Sequence, residues 1–433
     1  MPSLERILRT LASTLPSDKY RWFKTKYFSY KKLTSNILSK IPLIGSMEGY
    51  KRLLDQVPFF DNISVLPTNK SWEDKWRVCN GKRILFYSEK DFSGSLYKWA
   101  EAINKYTDYA ARLITSKAHQ YGYATDILSL ENIPTAIAKK NKKLSAMREC
   151  VLKLVEEATV VHFKEELKLF IERHDSGCEK LSSQILNTAK LKKIPLVFTA
   201  NGGYARKYHN DSEYIKFVQG FDRRIAMTPD LNYDWFSGSY IPHAIDTEAY
   251  PYSWKDGYQL SHSPSSSKRK GTKEFLEAVA RIDRKKLPLQ LDVIQNVSYQ
   301  ECLKRKENAT IFFDQAGRDR NERWRMDEII GWYGNSAIEA MTFGIPTIAH
   351  LSEEALLGAE RAGVFIRSIC PVINVGCEDS ESLLNAIVGF FNMTASRRKA
   401  LSLETREWAE NFHSYYATAK RLQEVYDSLH HVI

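Results

Sequence analysis

A chain of 433 residues, 43% hydrophobic and 12% aromatic, is long enough for two or three domains and too apolar to be disordered. No apolar run approaches the length of a membrane span, and six cysteines scattered without a C-x-x-C pair fit reduced thiols better than a disulfide framework or a zinc site. The net charge of +11 favours anionic partners: phosphorylated substrates, anionic lipid or nucleic acid.

Residues 1–80 read as a basic and aromatic extension ahead of the regular fold. Met1 to Arg9 lacks the apolar core of a leader peptide, so a cytoplasmic protein is expected. Helical patterns run from Leu4 to Leu15 and from Tyr20 to Leu38, and a proline-broken stretch follows from Pro42 to Pro67. Between residues 19 and 32 lysines and arginines alternate with Tyr20, Trp22, Phe23, Tyr27, Phe28 and Tyr30. That mixture suits peripheral attachment of residues 19–38 to the anionic inner face of a membrane, where lysines meet lipid phosphate and rings settle among the headgroups. It equally suits an arm packed on the main body. No nucleic-acid recognition motif accompanies the charge, so nucleic acid is the least supported partner.

The regular fold is expected from Lys82–Ser88, an apolar strand, followed by the loop Asp91–Leu96 and an amphipathic helix through Trp99, Ala102 and Ile103. Strand, glycine-containing loop and helix make the opening unit of a parallel α/β sheet. Ala158–Phe163, Ile194–Thr199, Arg224–Thr228 and Ser239–Asp246 continue the strands, with His162 as a packed core histidine. A Ser- and Lys-rich stretch over 254–272 separates this alternation from a second one. The second holds a helix over Gly271–Ile282, strands at Leu289–Ile294 and Thr310–Phe313, a unit at 331–350 and the Gly363–Ile366 region. Arg318, Arg320, Arg323 and Arg325 read as an exposed basic loop. A helical pattern from Arg397 to Leu429, broken near Phe412–Ser414, closes the chain. The pattern predicts an α/β protein of two Rossmann-like domains, 81–250 and 251–405, facing a cleft, with a final helix over 406–433.

Gly331 to His350 is the most informative stretch. Gly334, Asn335 and Ser336 are small and turn-prone, Ser336 is a good N-cap, and Ile338, Ala340 and Met341 supply the helix's apolar side. Gly344 stops the helix, Pro346 bars its restart, and Thr347–Ala349 reads as a strand. A helix that opens on small residues presents backbone N–H groups and the positive end of its dipole, which suits a phosphate or diphosphate. Glu339 falls near that turn, where it closes a capping box with Ser336, accepts from a hydroxyl of the bound group, or does both.

This stretch resembles the donor-site motif of retaining GT-B glycosyltransferases of the glycogen-synthase/mannosyltransferase-like group (glycosyltransferase family 4-like), roughly E-x-x-G-x-x-x-x-E-A-M-A-x-G-x-P-V-I-A. Gly334, Glu339, Ala340, Met341, Gly344, Pro346, Ile348 and Ala349 match it. Tyr240–Asp246 is similar to the motif that closes the family's N-terminal domain, Ser263–Thr272 to its loop ending in Lys-Gly, and Asp314-Gln315 to a subgroup. The last helical segment is similar to the helix that crosses back to the N-terminal domain. The likeness covers roughly residues 82–429 and implies a GT-B fold with an N-terminal helical extension.

The resemblance implies a metal-independent transferase (EC 2.4) using a UDP- or GDP-linked sugar as co-substrate, with no other cofactor, and a glycan, lipid-linked or small-molecule acceptor. It places Glu339 and Lys270 as the catalytic pair, Lys270 with the Gly334, Asn335 and Ser336 backbone at the diphosphate and Glu339 at the ribose. Lys268, Arg269 and His350 join the donor side, Gly94 and Ser95 form the loop that approaches the donor, and Asn201 and Gly202 face the acceptor. Three positions depart from the pattern. The family's first glutamate falls on Gly331. Its arginine before the Lys-Gly falls on Pro264 or Ser265, leaving Lys268 or Arg269 to replace it, and its histidine near 199–202 falls on Asn201. Those departures motivate an alternative, a non-catalytic nucleotide- or sugar-binding or scaffold protein on the same fold. A nucleotide-sugar epimerase ranks last.

Overall fold

The computed structural model describes residues 69–117, 123–129, 142–165, 181–321, 326–364 and 369–430. The basic segment 19–38 and both helical patterns of the N-terminus lie outside the described residues, as do Arg323 and Arg325. The described residues form two compact units, those up to Ala100 together with those from Asp108 to Leu196, and Glu101–Thr107 together with those from Val197 onward.

The first unit contains α1 (Lys70–Val78), β1 (Arg83–Lys90), the start of α2 (Ser95–Tyr106), β2 (Ala110–Lys117), β3 (Ile127–Leu128), α3 (Lys142–Glu157), β4 (Val160–Lys164) and α4 (Leu181–Leu191). Its strands pair in parallel in the order β3-β2-β1-β4. Ile84 to Tyr87 are wholly buried, the continuous apolar run of a parallel strand covered on both faces. The regular fold starts earlier than the expected Lys82. In α1, Trp72 and Trp76 are buried, and the Trp76 indole donates to Glu157 Oε2 at 2.8 Å. Asn69 caps the helix through Trp72 N, a signal masked by the polar run around it. His162 is the expected core histidine. Its ring packs on Phe86 and Trp99, and burial lowers its pKa to about 3.

The second unit opens with β5 (Leu196–Ala200), α5 (Gly203–Tyr208), α6 (Ser212–Gln219), β6 (Arg223–Ala226), a 3-10 turn at Pro229–Leu231 and β7 (Ser239–Tyr240). β5, β6 and β7 pair in parallel. β6 stops short of the expected Thr228 because Pro229 has no N–H to offer a ladder and opens the 3-10 turn. β7 keeps only two of the eight expected residues. Beyond Pro242 the extended chain pairs instead with the C-terminal helices: Ile245 N donates to His413 O at 2.9 Å and Tyr415 N to Ile245 O at 3.1 Å.

The same unit continues with β8 (Gln259–His262), α7 (Ser267–Lys270), α8 (Thr272–Ala280), β9 (Gln290–Val293), α9 (Tyr299–Lys306), β10 (Ile311–Phe313), α10 (Asn335–Thr342), β13 (Thr347–Ala349), α11 (Glu353–Arg361), β14 (Ile373–Asn374) and α12 (Ser380–Asn392). These strands form a parallel sheet ordered β14-β13-β10-β8-β9. Phe275 of α8 stacks on Phe313 of β10 at 4.7 Å, in a cluster with Leu260, Ile348, Leu383 and Ile387. The expected arginine loop is an antiparallel hairpin of β11 (Arg318–Asn321) and β12 (Met326–Ile329). Arg318 and Arg320 pair with Asp327, and Arg320 also with Glu378, so these two arginines spend their charge within the fold.

α13 (Ala395–Trp408) passes through a π-helical turn, Ala409–His413, into α14 (Tyr415–His430), which places the break where the sequence put it. A buried polar chain fills the break. The Trp408 indole donates to the Tyr333 hydroxyl at 3.0 Å, that hydroxyl donates to His413 Nε2 at 2.8 Å, and His413 Nδ1 donates to His243 O at 3.0 Å. A carbonyl only accepts, which fixes the proton of neutral His413 on Nδ1.

Candidate functional site

All but two of the residues assigned to the site lie in the second unit. The loop after β8 is shaped by glycine. Gly271 ends α7 and opens α8 at φ +71°, and a Cβ there would stand 3.1 Å from the Ala316 carbonyl group. A Cβ at Gly317 would stand 2.4 Å from Arg269 O and 2.6 Å from Gly271 N. Two backbones therefore cross at contact distance, which only glycine permits. His262 braces the loop from below. Its Nδ1 donates to Phe313 O at 2.9 Å, and its Nε2 accepts from Thr272 Oγ1 at 2.8 Å. Burial lowers its pKa to about 4, keeping the ring neutral for this pattern.

The loop delivers Lys270 to the start of α10. Lys270 Nζ lies 3.0 Å from Asp314 Oδ1, and the Gly334 amide donates to Asp314 Oδ2 at 2.6 Å. Gly334 occupies the N-cap position of α10, and a Cβ there would stand 3.1 Å from Lys270 Nζ. A side chain at 334 would thus press on the ammonium. Asp314 is buried and uses one of the three ammonium donors, so it aims the group without exhausting it. A lysine and a helix N-terminus meet at one point, which is the composition of a phosphate site.

The expected N-cap at Ser336 is corrected. Ser336 is the second residue of α10; its hydroxyl accepts from Lys306 Nζ at 3.0 Å and meets Ser263 Oγ at 3.1 Å. No capping box with Glu339 forms. Glu339 is the fifth residue of the helix and is buried. Lys306 Nζ stands 2.5 Å from its Oε2, and Asn335 Nδ2 donates to its Oε1 at 2.5 Å. Lys306 has no exposed surface, yet its pKa is raised: burial works against the charge, and the Glu339 carboxylate outweighs it. Cys302 lies close to this pair, and burial pushes its thiol up, away from a reactive thiolate. Lys306 gave no signal in the sequence. It ends the run Lys304-Arg-Lys306, and only the apolar Leu303 three residues earlier marks it as inward-facing.

The remaining candidates spread outward. Arg269 donates to buried Asp319 Oδ2 at 2.6 Å, whereas Lys268 is exposed. His350 is half-buried; its amide donates to Gln315 O at 2.8 Å and its Nδ1 to Val375 O at 2.7 Å, leaving Nε2 as the acceptor nitrogen. Gly202, at φ +147°, turns the chain from β5 into α5, and a Cβ there would lie 3.4 Å from Arg206 Nη1. Asn201 precedes it, half-buried. A Cβ at Gly203 would lie 3.2 Å from Asp319 Oδ2, so the Arg269–Asp319 pair stands beside the Asn201–Gly203 turn. Gly331 has no room for the family's glutamate: a Cβ there would stand 2.2 Å from Ser352 Oγ.

Gly94 and Ser95 belong to the first unit. Gly94 has φ +61°, with Tyr123 3.3 Å from where its Cβ would be. The Ser95 hydroxyl is engaged in a buried network in which Lys164 Nζ meets Asp91 Oδ1 at 2.9 Å and also Ser95, while Asp91 accepts from Leu96 N and Tyr97 N. That loop is internally satisfied.

Among the described residues no group of three His, Cys, Asp or Glu stands where it could hold a metal ion, and no helix is long and apolar enough to cross a membrane. No protein-family model matches the chain, and no curated protein sequence does. Solved structures do. Anabaena HepE in complex with UDP-glucose matches at a TM-score of 0.53 and 12% identity, over 80% of this chain and 99% of that one. An alpha-glucosyltransferase in complex with UDP-glucose and DNA containing an abasic site matches at 0.51 and 9% identity, over 80% and 99%. At such identities the likeness is one of fold, and the fold is the GT-B fold of glycosyltransferases, with two Rossmann-like α/β domains.

Proposed function

We propose that this protein is a glycosyltransferase that takes a sugar from a UDP-linked donor and passes it, with retention, to a hydroxyl of a glycan or lipid-linked acceptor. The observation that carries the reading is the convergence of Lys270 on the glycine-capped N-terminus of α10, where a Cβ at 334 would be 3.1 Å from the ammonium. Transfer breaks the bond from the sugar's anomeric carbon to the diphosphate and forms one to the acceptor oxygen. Negative charge develops on the departing diphosphate, and a fixed ammonium beside helix N–H groups stabilises it without reorganising. The released phosphate oxygen takes the acceptor's proton, so no separate protein base is required. Lys270 and the helix meet the diphosphate charge in place of a metal. Glu339 acts on the donor through Asn335 and Lys306, which its oxygens orient. Residues 19–38 hold the enzyme to an anionic membrane surface that carries the acceptor.

Two observations favour a second reading, a nucleotide-sugar-binding protein without turnover. Ser352 closes the position of the family's first glutamate, and Glu339 is already engaged by Lys306. A donor panel separates the two. Purified protein is incubated with UDP-, GDP-, TDP- and CMP-sugars, with and without EDTA, while thermal stability and nucleotide release are followed. One UDP-sugar is expected to stabilise the protein and to be slowly cleaved, with EDTA making no difference. Stabilisation without release, even with glycan and lipid acceptors present, supports the second reading. A strict divalent-metal requirement contradicts the mechanism, and a protein stabilised by no nucleotide contradicts both readings.

A further inference from the structure

The second unit carries a cavity that donor binding does not use. It holds about 290 Å³ and is walled by the end of α2, the chain from Asp246 to Glu248 and the join between α13 and α14. That volume stands at the lower bound of ligand pockets, about 300–1,000 Å³, and suits one small ring. Arg406 fixes one wall. Its Nη2 donates to Thr247 O at 2.9 Å, its Nε to Glu410 Oε1 at 2.6 Å, and its Nη1 to Tyr250 O at 2.6 Å and to Thr342 O. Thr342 ends α10, and Lys270 meets the other end of that helix, roughly 12 Å away for eight residues at about 1.5 Å each. The cavity is therefore distinct from the phosphate site.

Its polar atoms are not all spent within the fold. Thr247 lines the cavity and is only 8% exposed; its hydroxyl finds no hydrogen-bond partner among the described residues, and its oxygen is not sealed from solvent. Ser414 Oγ accepts from Ala417 N at 3.1 Å and keeps its own proton to give. Asp246 Oδ1 accepts from Glu248 N and Ala249 N, at 3.2 and 3.3 Å, which leaves Oδ2 without a hydrogen bond, 3.7 Å from Lys105 Nζ. Glu410 likewise gives only Oε1 to Arg406. Tyr106 and Tyr416 add apolar surface, meeting edge to face at 5.7 Å, and Tyr416 is 57% exposed. The charges here are matched inside the wall: Lys105 pairs with Glu248 at 2.8 Å and Arg406 with Glu410 at 2.6 Å. Lys105 and Lys420 also lie over the Tyr106 and Tyr416 rings, at 5.1 and 5.8 Å, so a cationic guest would meet like charge there. Open carboxylate oxygens and hydroxyls beside aromatic rings, with the charge already matched, suit a neutral guest that has hydroxyls on its edge and C–H groups on its face. That guest is a sugar ring.

We propose that this cavity is a second carbohydrate site, separate from the donor site, in which Asp246 and Glu410 accept from the sugar's hydroxyls, Thr247 and Ser414 donate to them, and Tyr416 covers the ring. The site adds to the glycosyltransferase reading and does not rest on it. To test it, glucose, galactose, mannose and N-acetylglucosamine are added to the full chain, with and without saturating UDP, and followed by saturation-transfer NMR. At least one sugar is expected to bind, equally well in the presence of UDP. Thr247→Val and Tyr416→Ala should each weaken it by about fivefold or more, with UDP affinity held within about twofold. Thr247→Val discards a hydroxyl that has no partner, and Tyr416 is largely exposed, so both variants should melt close to the native protein. No sugar bound, or binding unchanged in both variants, overturns the assignment. Binding abolished by UDP places the sugar at the donor site and overturns it too, as does displacement of the sugar by tetramethylammonium, which would make the guest a cation. A native protein that binds a sugar but not UDP leaves this site standing and overturns the donor reading instead.

Discussion

Lys306 and Glu339 are buried together at 2.5 Å, one at the end of α9 and the other in α10. Such a pair gains little net stability over an apolar pair, because both charges leave water, but removing one partner strands the other. We therefore expect Glu339→Gln to cost about 3–5 kcal/mol and the double change Lys306→Met with Glu339→Leu to recover most of it. Denaturant midpoints decide this: a Glu339→Gln protein as stable as the native one would mean that Lys306 has other support. Glu339 was legible in the sequence because it sits in a motif of fixed spacing. Its engagement by Lys306 was not, since a lysine inside Lys304-Arg-Lys306 looks like any basic last turn.

Between these residues and the fold stand a few short elements whose positions depend on glycine. The one-turn helix α7 and the loop at 315–317 cross so tightly that a Cβ at 317 would fall within 2.4 Å of Arg269 O, against 3.1 Å for one at 271. Gly317 has the worse clash, whereas Gly271 adds the strain of a positive φ, about 1–2 kcal/mol for an L-residue. Both Gly→Ala changes are expected to destabilise by more than about 2 kcal/mol and to weaken nucleotide binding, because either moves Lys270 off the α10 N-terminus. Gly334→Ala should behave differently. Its φ of −102° suits alanine, and the added methyl presses only the end of the long Lys270 side chain, so stability holds while nucleotide affinity falls. Equal stability in all three variants would contradict this reading of the loop. Strands and helices here were legible from apolar runs and from Gly344 and Pro346. The shortened β7 was not, because its continuation pairs with a segment far along the chain, and the β11–β12 hairpin was not, because its strands are charged rather than apolar.

Among the described residues His162, His262 and His413 are buried with lowered pKa values, about 3 for His162, about 4 for His262 and about 3 for His413, chiefly by burial. Their folded values lie below the unfolded value near 6.5, so their stability is fully present above that pH. It is lost as the pH falls from about 6.5 toward 4, where the unfolded chain binds protons that the native state refuses. Each contributes up to roughly 1.4 kcal/mol per pH unit in that window. The second unit holds two of the three and should be the more acid-sensitive. Denaturation midpoints unchanged between pH 7.5 and 5 would contradict this. The α/β plan was the most legible feature of the chain, since strand–loop–helix alternation recurs on both sides of the 254–272 stretch. Whether that plan carries donor chemistry turns on one contact, Lys270 at the opening of α10. The most direct measurement is calorimetric titration of UDP into the native protein and into Lys270→Gln, which keeps a donor to Asp314 but removes the charge. Binding by the native protein, weakened at least about tenfold in the variant, is the expected result. Native protein that does not bind UDP, or a variant that binds it as tightly, would contradict the assignment.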